Sequence, residues 1–232
     1  AYQLKVYTGM RVTFMDKVIT IGSLSDYALL HAEAPRSEHE KKLPRVAHCV
    51  MDYKGSSSDA AKYQWEIAVI ANLHSDARHV GLVNSIYPYE GGTHIDYLIS
   101  LIIPGLIGFL QKDMNKSADE VKEMNRGGSL TKLIKSQICI FARCPINKPA
   151  FSGQIKARIM TGSKEYLDRT LPTSMIRSIW KVIETYVTFQ WLNKDSLLSQ
   201  GTQKIGNKKL DYDGYVPATN AGKKGSAATR LF

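Results

Sequence analysis

The chain has 232 residues, 44% of them hydrophobic and 22% charged, the balance of an ordinary globular protein with a core of its own. Lys and Arg outnumber Asp and Glu by 31 to 21, a formal charge of +10 that favours polyanionic partners, nucleic acid among them. Three cysteines, Cys49, Cys139 and Cys144, lack paired or zinc-ligand spacing, which argues against a secreted disulfide framework or a metal site and for buried thiols in a reducing, intracellular compartment.

Residues 2–21 alternate loosely between apolar and polar, with a turn at Thr8-Gly9, and predict two or three short strands. Ser23, with Ser25 as a rival, is positioned to cap a short helix through Leu30. Residues 33–44 are charged and broken by Pro35, the texture of a surface loop. Strands are expected over 45–53, 63–71 and 79–86, the first two separated by a flexible Gly55-Ser58 connection.

After the Glu90-Gly91-Gly92 turn, Thr93 is expected to cap an apolar helix. Ile95–Leu110 is apolar enough to raise a membrane span, but Asp96, the Pro104-Gly105 pair and a length short of roughly 20 residues predict a buried, kinked core helix instead. The amino terminus, AYQLKVYTGMR, lacks the apolar run of a secretory signal, so no membrane partner is expected. It begins with Ala1 rather than methionine, which hints at a piece of a longer chain.

Residues 112–135 predict two short helices around Gly127-Gly128, and Ser136–Cys144 a buried strand. Pro145 and Pro149 frame a rigid loop, with a short helix expected from Ser152 or Gly153. Ile176, Ile179, Trp180, Ile183, Val187 and Trp191 recur every three or four residues and predict a long amphipathic helix over Thr173–Leu192. From Ser199 onward the chain is rich in Gly, Lys, Asn and Ala and reads as a basic linker. Strands followed by a mixture with long helices place the fold in the α+β class.

The stretch NKPAFSGQIKAR, Asn147–Arg158, carries chemistry. Gln154 and Lys156 lie two residues apart, so an extended tip would aim both to one side. An amide donor beside an ammonium suits a terminal phosphate, and a solvated polar loop is the plain alternative.

This stretch resembles the loop that type IIA DNA topoisomerases extend from the transducer domain to the γ-phosphate of ATP. Pro149, Phe151, Gln154 and Lys156 match its motif; Lys148 is inserted and Ile155 stands where threonine is usual. A second stretch, LVNSIYPYEGGTHIDYL, is similar to the family's fold signature through Asn84, Gly91, Gly92, Thr93 and His94. A third, Lys209-Leu210-Asp211 with Ala218–Gly222, resembles the entry to a TOPRIM domain, lengthened by Tyr212–Pro217. The HIDYL ending leans to the eukaryotic and viral branch, which leaves nucleus, cytoplasm or viral factory open as the compartment.

The resemblance implies a ribosomal-protein-like transducer fold with a mixed sheet, a left-handed βαβ crossover and a long C-terminal helix. It implies residues 1–198 as the transducer and 199–232 as the linker into a truncated TOPRIM domain. ATP and Mg²⁺ would serve the full-length homodimeric enzyme, with double-stranded DNA, a preceding GHKL ATPase domain and a following TOPRIM domain as partners. Gln154 and Lys156 would touch the γ-phosphate; no residue here would be catalytic or bind metal, and this piece alone would be inactive.

DNA contacts are expected from Lys112, Lys116, Lys132 and Lys135, or from the C-terminal Lys204, Lys208, Lys209, Lys223 and Lys224, against a background of solvated charged faces. Two other functions fit part of the pattern: a stand-alone basic nucleic-acid-binding module, and the same domain of another GHKL ATPase such as a mismatch-repair protein.

Overall fold

A computed structural model describes residues 1–32, 44–54, 63–72 and 79–202, with side chains through Val187. The expected loop at 33–44 (except Pro44), the Gly55-Ser58 connection and everything from residue 203 lie outside the described residues. Contacts divide the chain into two units, Ala1–Trp191 and Leu192–Phe232, and all the described side chains belong to the first.

The amino terminus departs from the strand expectation. Tyr2–Thr8 is a helix, α1, closed by Gly9 in the left-handed conformation (φ 70°), whose N–H bonds the Lys5 carbonyl. Of its residues only Val6 is buried, so the alternation that suggested a strand reflects scattered exposed apolar groups. Two short strands do follow, β1 Thr13–Phe14 and β2 Lys17–Val18, turning through Met15 and Asp16, both at positive φ as a two-residue hairpin requires. Helix α2, Leu24–Leu29, starts at Ser23, whose hydroxyl accepts the Asp26 N–H at 3.1 Å.

The framework is a four-stranded mixed sheet of β3 (Val46–Val50), β5 (Glu66–Ala71), β6 (Val80–Leu82) and β7 (Ile138–Arg143), in the order β3-β5-β7-β6. The first three in that order are antiparallel neighbours; β6 and β7 run parallel. Between those two the chain crosses through α3 (Thr93–Asp113), α4 (Ala118–Met124) and α5 (Ser129–Ser136). A separate two-stranded ribbon joins β4, Asp52–Tyr53, to β8, Arg169–Thr170.

Period-two alternation splits the core. Ile67, Val69, Ile140 and Ala142 face α3, α5 and the long helix α6, Thr173–Thr202, while Ala68, Ile70, Cys139 and Phe141 face α1 and α2. Helix α3 is long and apolar enough to cross a membrane by composition, with a mean hydropathy of 1.6. Its residues Leu98, Ile102, Leu106 and Leu110 are nevertheless buried in the protein core, each worth about 1.5–3 kcal/mol of transfer free energy. It runs unbroken through Pro104 and Gly105, and a Cβ on Gly105 would lie 2.7 Å from Ile176 Cγ2 of α6. Farther along, Trp180 Nε1 donates to Asp113 Oδ2 at 2.6 Å, and its ring stacks on Phe109.

The paired helices expected in 112–135 are present: α4, opened by a Ser117–Glu120 capping box, and α5, joined by a turn at Arg126–Gly128. The helix expected from Ser152 is absent. Residues 151–159 instead form a tight hairpin, because the backbone around Ile159 is engaged by the Gly91-Gly92 segment.

Candidate functional site

Two stretches distant in sequence form one structure. Between Ala150 and Met160 the chain leaves the body as a finger: Phe151 bridges Ile159, Ser152 N–H donates to the Arg158 carbonyl at 3.0 Å, and Met160 N–H donates to that of Ala150 at 2.8 Å. The Gly91-Gly92-Thr93 segment pairs with the finger's returning arm. Glu90 N–H reaches the Ala157 carbonyl, Ile159 N–H the Gly91 carbonyl, and Thr93 N–H the Ile159 carbonyl.

Gly92 has to be glycine. Its φ of 137° belongs to a region L side chains rarely adopt, and a Cβ there would strike the Ile159 backbone, 2.6 Å from its nitrogen. Gly91, at φ 70°, closes the preceding turn onto the Pro88 carbonyl. Thr93 does not cap α3: Gly92 holds the cap position, and Thr93 Oγ1 instead lies 3.1 Å from the buried Tyr166 hydroxyl.

The outgoing arm is anchored by Asn84. Val83 and Ile86 exchange two backbone hydrogen bonds around Asn84 and Ser85, both at positive φ, a turn asparagine tolerates better than most residues. The Asn84 amide then clamps Ile146, donating to its carbonyl at 2.7 Å and accepting its N–H at 3.0 Å. Trp65 Nε1 donates to the Pro145 carbonyl, one residue earlier. The signature residues thus hold both roots of the finger.

His94 is fully buried, and burial, offset in part by the Gly81 backbone, pulls its pKa down to about 4. A neutral imidazole packed inside the fold has no access to a reacting group. The ring is part of the packed interior. Its Nε2 and Cδ2 fill the space beside Gly81 of β6.

The tip is a turn, not an extended segment. Lys156 N–H closes onto the Gly153 carbonyl at 3.0 Å, and Lys156 itself sits at φ 57°. Gln154, Ile155 and Lys156 are all exposed, Ile155 to 83%. The Lys156 ammonium rests 5.5 Å from the Phe151 ring centroid, a contact worth about 0.5–1 kcal/mol at an exposed site. Left-handed backbone at a lysine costs about 1–2 kcal/mol, and such strain concentrates at functional positions. Arg158, to which the sequence motif assigns no role, donates to the Glu90 carbonyl and lies 3.7 Å from Asp96.

Of the basic residues expected at DNA, Lys116 pairs with Glu120 at 3.2 Å and Lys112 lies over the Phe109 ring. Lys132 and Lys135 are exposed on α5. The C-terminal lysines, Lys204, Lys208, Lys209, Lys223 and Lys224, fall outside the described residues. Among the described residues no cluster of His, Cys, Asp or Glu is arranged to hold a metal ion. Cys139 and Cys144 are buried and Cys49 partly so; burial pushes the Cys49 and Cys139 thiols up to about 12.

The DNA gyrase B family profile matches residues 24–181, more than half of the chain. DNA topoisomerase 2 of Arabidopsis thaliana is 28% identical over 230 residues, 96% of this chain and 14% of that protein. DNA topoisomerase 2 of Saccharomyces cerevisiae is 29% identical over 166 residues, 69% of this chain and 11% of that one. The chain therefore spans a small fraction of the curated relatives it matches. The fold is shared with the ATPase region of Saccharomyces cerevisiae topoisomerase II, at a TM-score of 0.56 and 21% identity over 82% of this chain and 42% of that one. The chain belongs to the DNA gyrase B family, and its residues form the transducer region of a type IIA topoisomerase.

Proposed function

We propose that this chain works inside a longer, ATP-hydrolysing type IIA topoisomerase, where Gln154 and Lys156 reach the γ-phosphate of ATP held by a neighbouring domain. The supporting observation is the finger: an exposed tip on a hairpin whose two roots are fixed by Asn84 and by Gly91-Gly92. Swinging the Lys156 ammonium from the Phe151 ring to a phosphate exchanges a weak contact for a charge-assisted one. Ile155, between the two polar residues, is 83% exposed, so its replacement of threonine does not bury or divert the tip.

In this reading ATP engages the finger and hydrolysis releases it, a ligand-biased two-state element. Displacement at the finger base would pass to the start of α3, then through Gly105–Ile176 and Trp180–Asp113 to α6, toward the DNA gate. Mg²⁺ would accompany the nucleotide, and the working unit would be a homodimer passing one DNA duplex through another. The same reading gives the β6–β7 crossover its family's left-handed sense, takes residues 1–198 as the transducer, and takes 199–232 as the path into a TOPRIM domain.

Two experiments test it. In the intact topoisomerase, Lys156→Ala should lower ATP-driven relaxation by more than about tenfold while leaving DNA cleavage in place; wild-type relaxation would contradict the contact. For the DNA partner, duplex binding should fall steeply with salt. Charge reversal at Lys132 and Lys135, or at Lys223 and Lys224, should flatten that dependence and identify the patch; no change from either would remove both.

A further inference from the structure

Behind the finger lies an open cleft of about 580 Å³, walled by the finger base, the Tyr87–Gly92 turn, α3 and α5. Its side-chain nitrogen donors are His79, Lys135 and Arg158. His79 Nδ1 accepts the Ile140 N–H at 3.2 Å, which leaves the ring proton on Nε2. Burial, reinforced by the nearby Lys135 charge, keeps that ring neutral down to about pH 4. Lys135 is exposed and forms no ion pair among the described residues. Arg158 is oriented by the Glu90 carbonyl and by Asp96, contacts that leave part of its five-donor fork unused.

The same lining limits what can enter. Glu90 and Asp96 also border the cleft, so a polyphosphate chain would meet two carboxylates, whereas a single oxyanion group can be served by the donor side. Tyr87 and Tyr89 add aromatic surface, Tyr89 with 60% of its area exposed.

We propose that this cleft binds a small ring compound bearing one oxyanion group, a carboxylate or a phosphate monoester, with the oxyanion at Lys135 and the His79 N–H and the ring against Tyr89. Because Arg158 and Glu90 line it, and Glu90 N–H is bonded to the Ala157 carbonyl of the returning arm, an occupant stiffens the finger base. The site is a different one from the tip and holds whether or not the tip contacts ATP.

The test titrates the isotope-labelled chain separately with AMP, hydroxybenzoate and inorganic phosphate, following backbone amide shifts by NMR. Either ring compound should produce saturable shifts at Gly91, Gly92 and Ile99 in the submillimolar range; the tighter one identifies the oxyanion as phosphate or carboxylate. Lys135→Ala, a surface change, should weaken that binding by about tenfold, and inorganic phosphate alone should bind weaker by a similar factor. Absence of saturable shifts with both ring compounds, unchanged affinity in Lys135→Ala, phosphate binding as tightly as the ring compounds, or shifts confined to Ser152–Lys156 would each overturn it.

Discussion

The imidazole of His94 occupies the space that a side chain on residue 81 would need. Strand β6 and helix α3 are thereby locked together by a glycine on one and a buried histidine on the other. Gly81→Ala should destabilise the chain by about 3 kcal/mol, since neither the ring nor the strand backbone has room to yield. Removing the ring restores that room, so Gly81→Ala with His94→Ala should cost less than the sum of the single changes, by about 1–3 kcal/mol. Urea unfolding of the four proteins measures it; strict additivity would mean the two residues do not share the space.

Gly92→Ala should act at the finger base. It combines a φ of 137° with a clash against the Ile159 backbone, so the returning arm must detach or the turn must reshape. We expect a loss of about 2–4 kcal/mol, with amide exchange at Ile159 and Thr93 accelerating more than in the β5–β7 core. Gly91→Ala, at φ 70° with open space around its Cβ position, should cost only about 1 kcal/mol.

Acid should weaken the fold through its histidines. His79 and His94 have pKa values pulled from 6.5 to about 4 by burial, and burial lowers that of His31 too. Between those values the unfolded chain takes up protons that the folded chain refuses. Stability is therefore full above about pH 6.5 and falls as the pH drops toward 4, with a slope of about 1.4 kcal/mol per pH unit for each of the two histidines. Urea midpoints across that range measure the slope. His79→Gln, whose amide oxygen can still accept from Ile140 N–H, should reduce it by roughly half.

The tip should tolerate change. Lys156 is exposed and sits at φ 57°, so Lys156→Gly relieves backbone strain while giving up the Phe151 contact. Stability should stay within about 1 kcal/mol of the parent, because the two effects oppose each other. A larger loss in thermal unfolding would mean that the lysine is part of the finger's own packing.

Features carried by local pattern were legible in the sequence. The apolar runs of β5 and β7, the spacing that opens α6 and the Gly91-Gly92 turn need only neighbouring residues to declare themselves. Residues 2–8 misled because Tyr2, Leu4 and Val6 alternate like a strand, while the deciding group, Gly9 in its left-handed cap, works equally well as a turn residue. Thr93 has the chemistry of a helix cap, but the Tyr166 hydroxyl, 73 residues away, takes its side chain. The Asn84–Ile146 clamp and the Gly81–His94 fit are invisible for the same reason, each needing a partner brought by the fold. A loop after Pro145 and Pro149 was readable; its hairpin form and curled tip, set by the Lys156–Gly153 hydrogen bond, were not.

Affinity labelling measures the proposed nucleotide contact without passing through strand-passage rates. The intact topoisomerase would be treated with an ATP analogue carrying an amine-reactive group on its γ-phosphate, then digested and mapped by mass spectrometry. The label should fall on Lys156, and excess ATP should suppress it. Labelling that spares Lys156, or that ATP leaves undiminished there, would show that the finger does not reach the nucleotide.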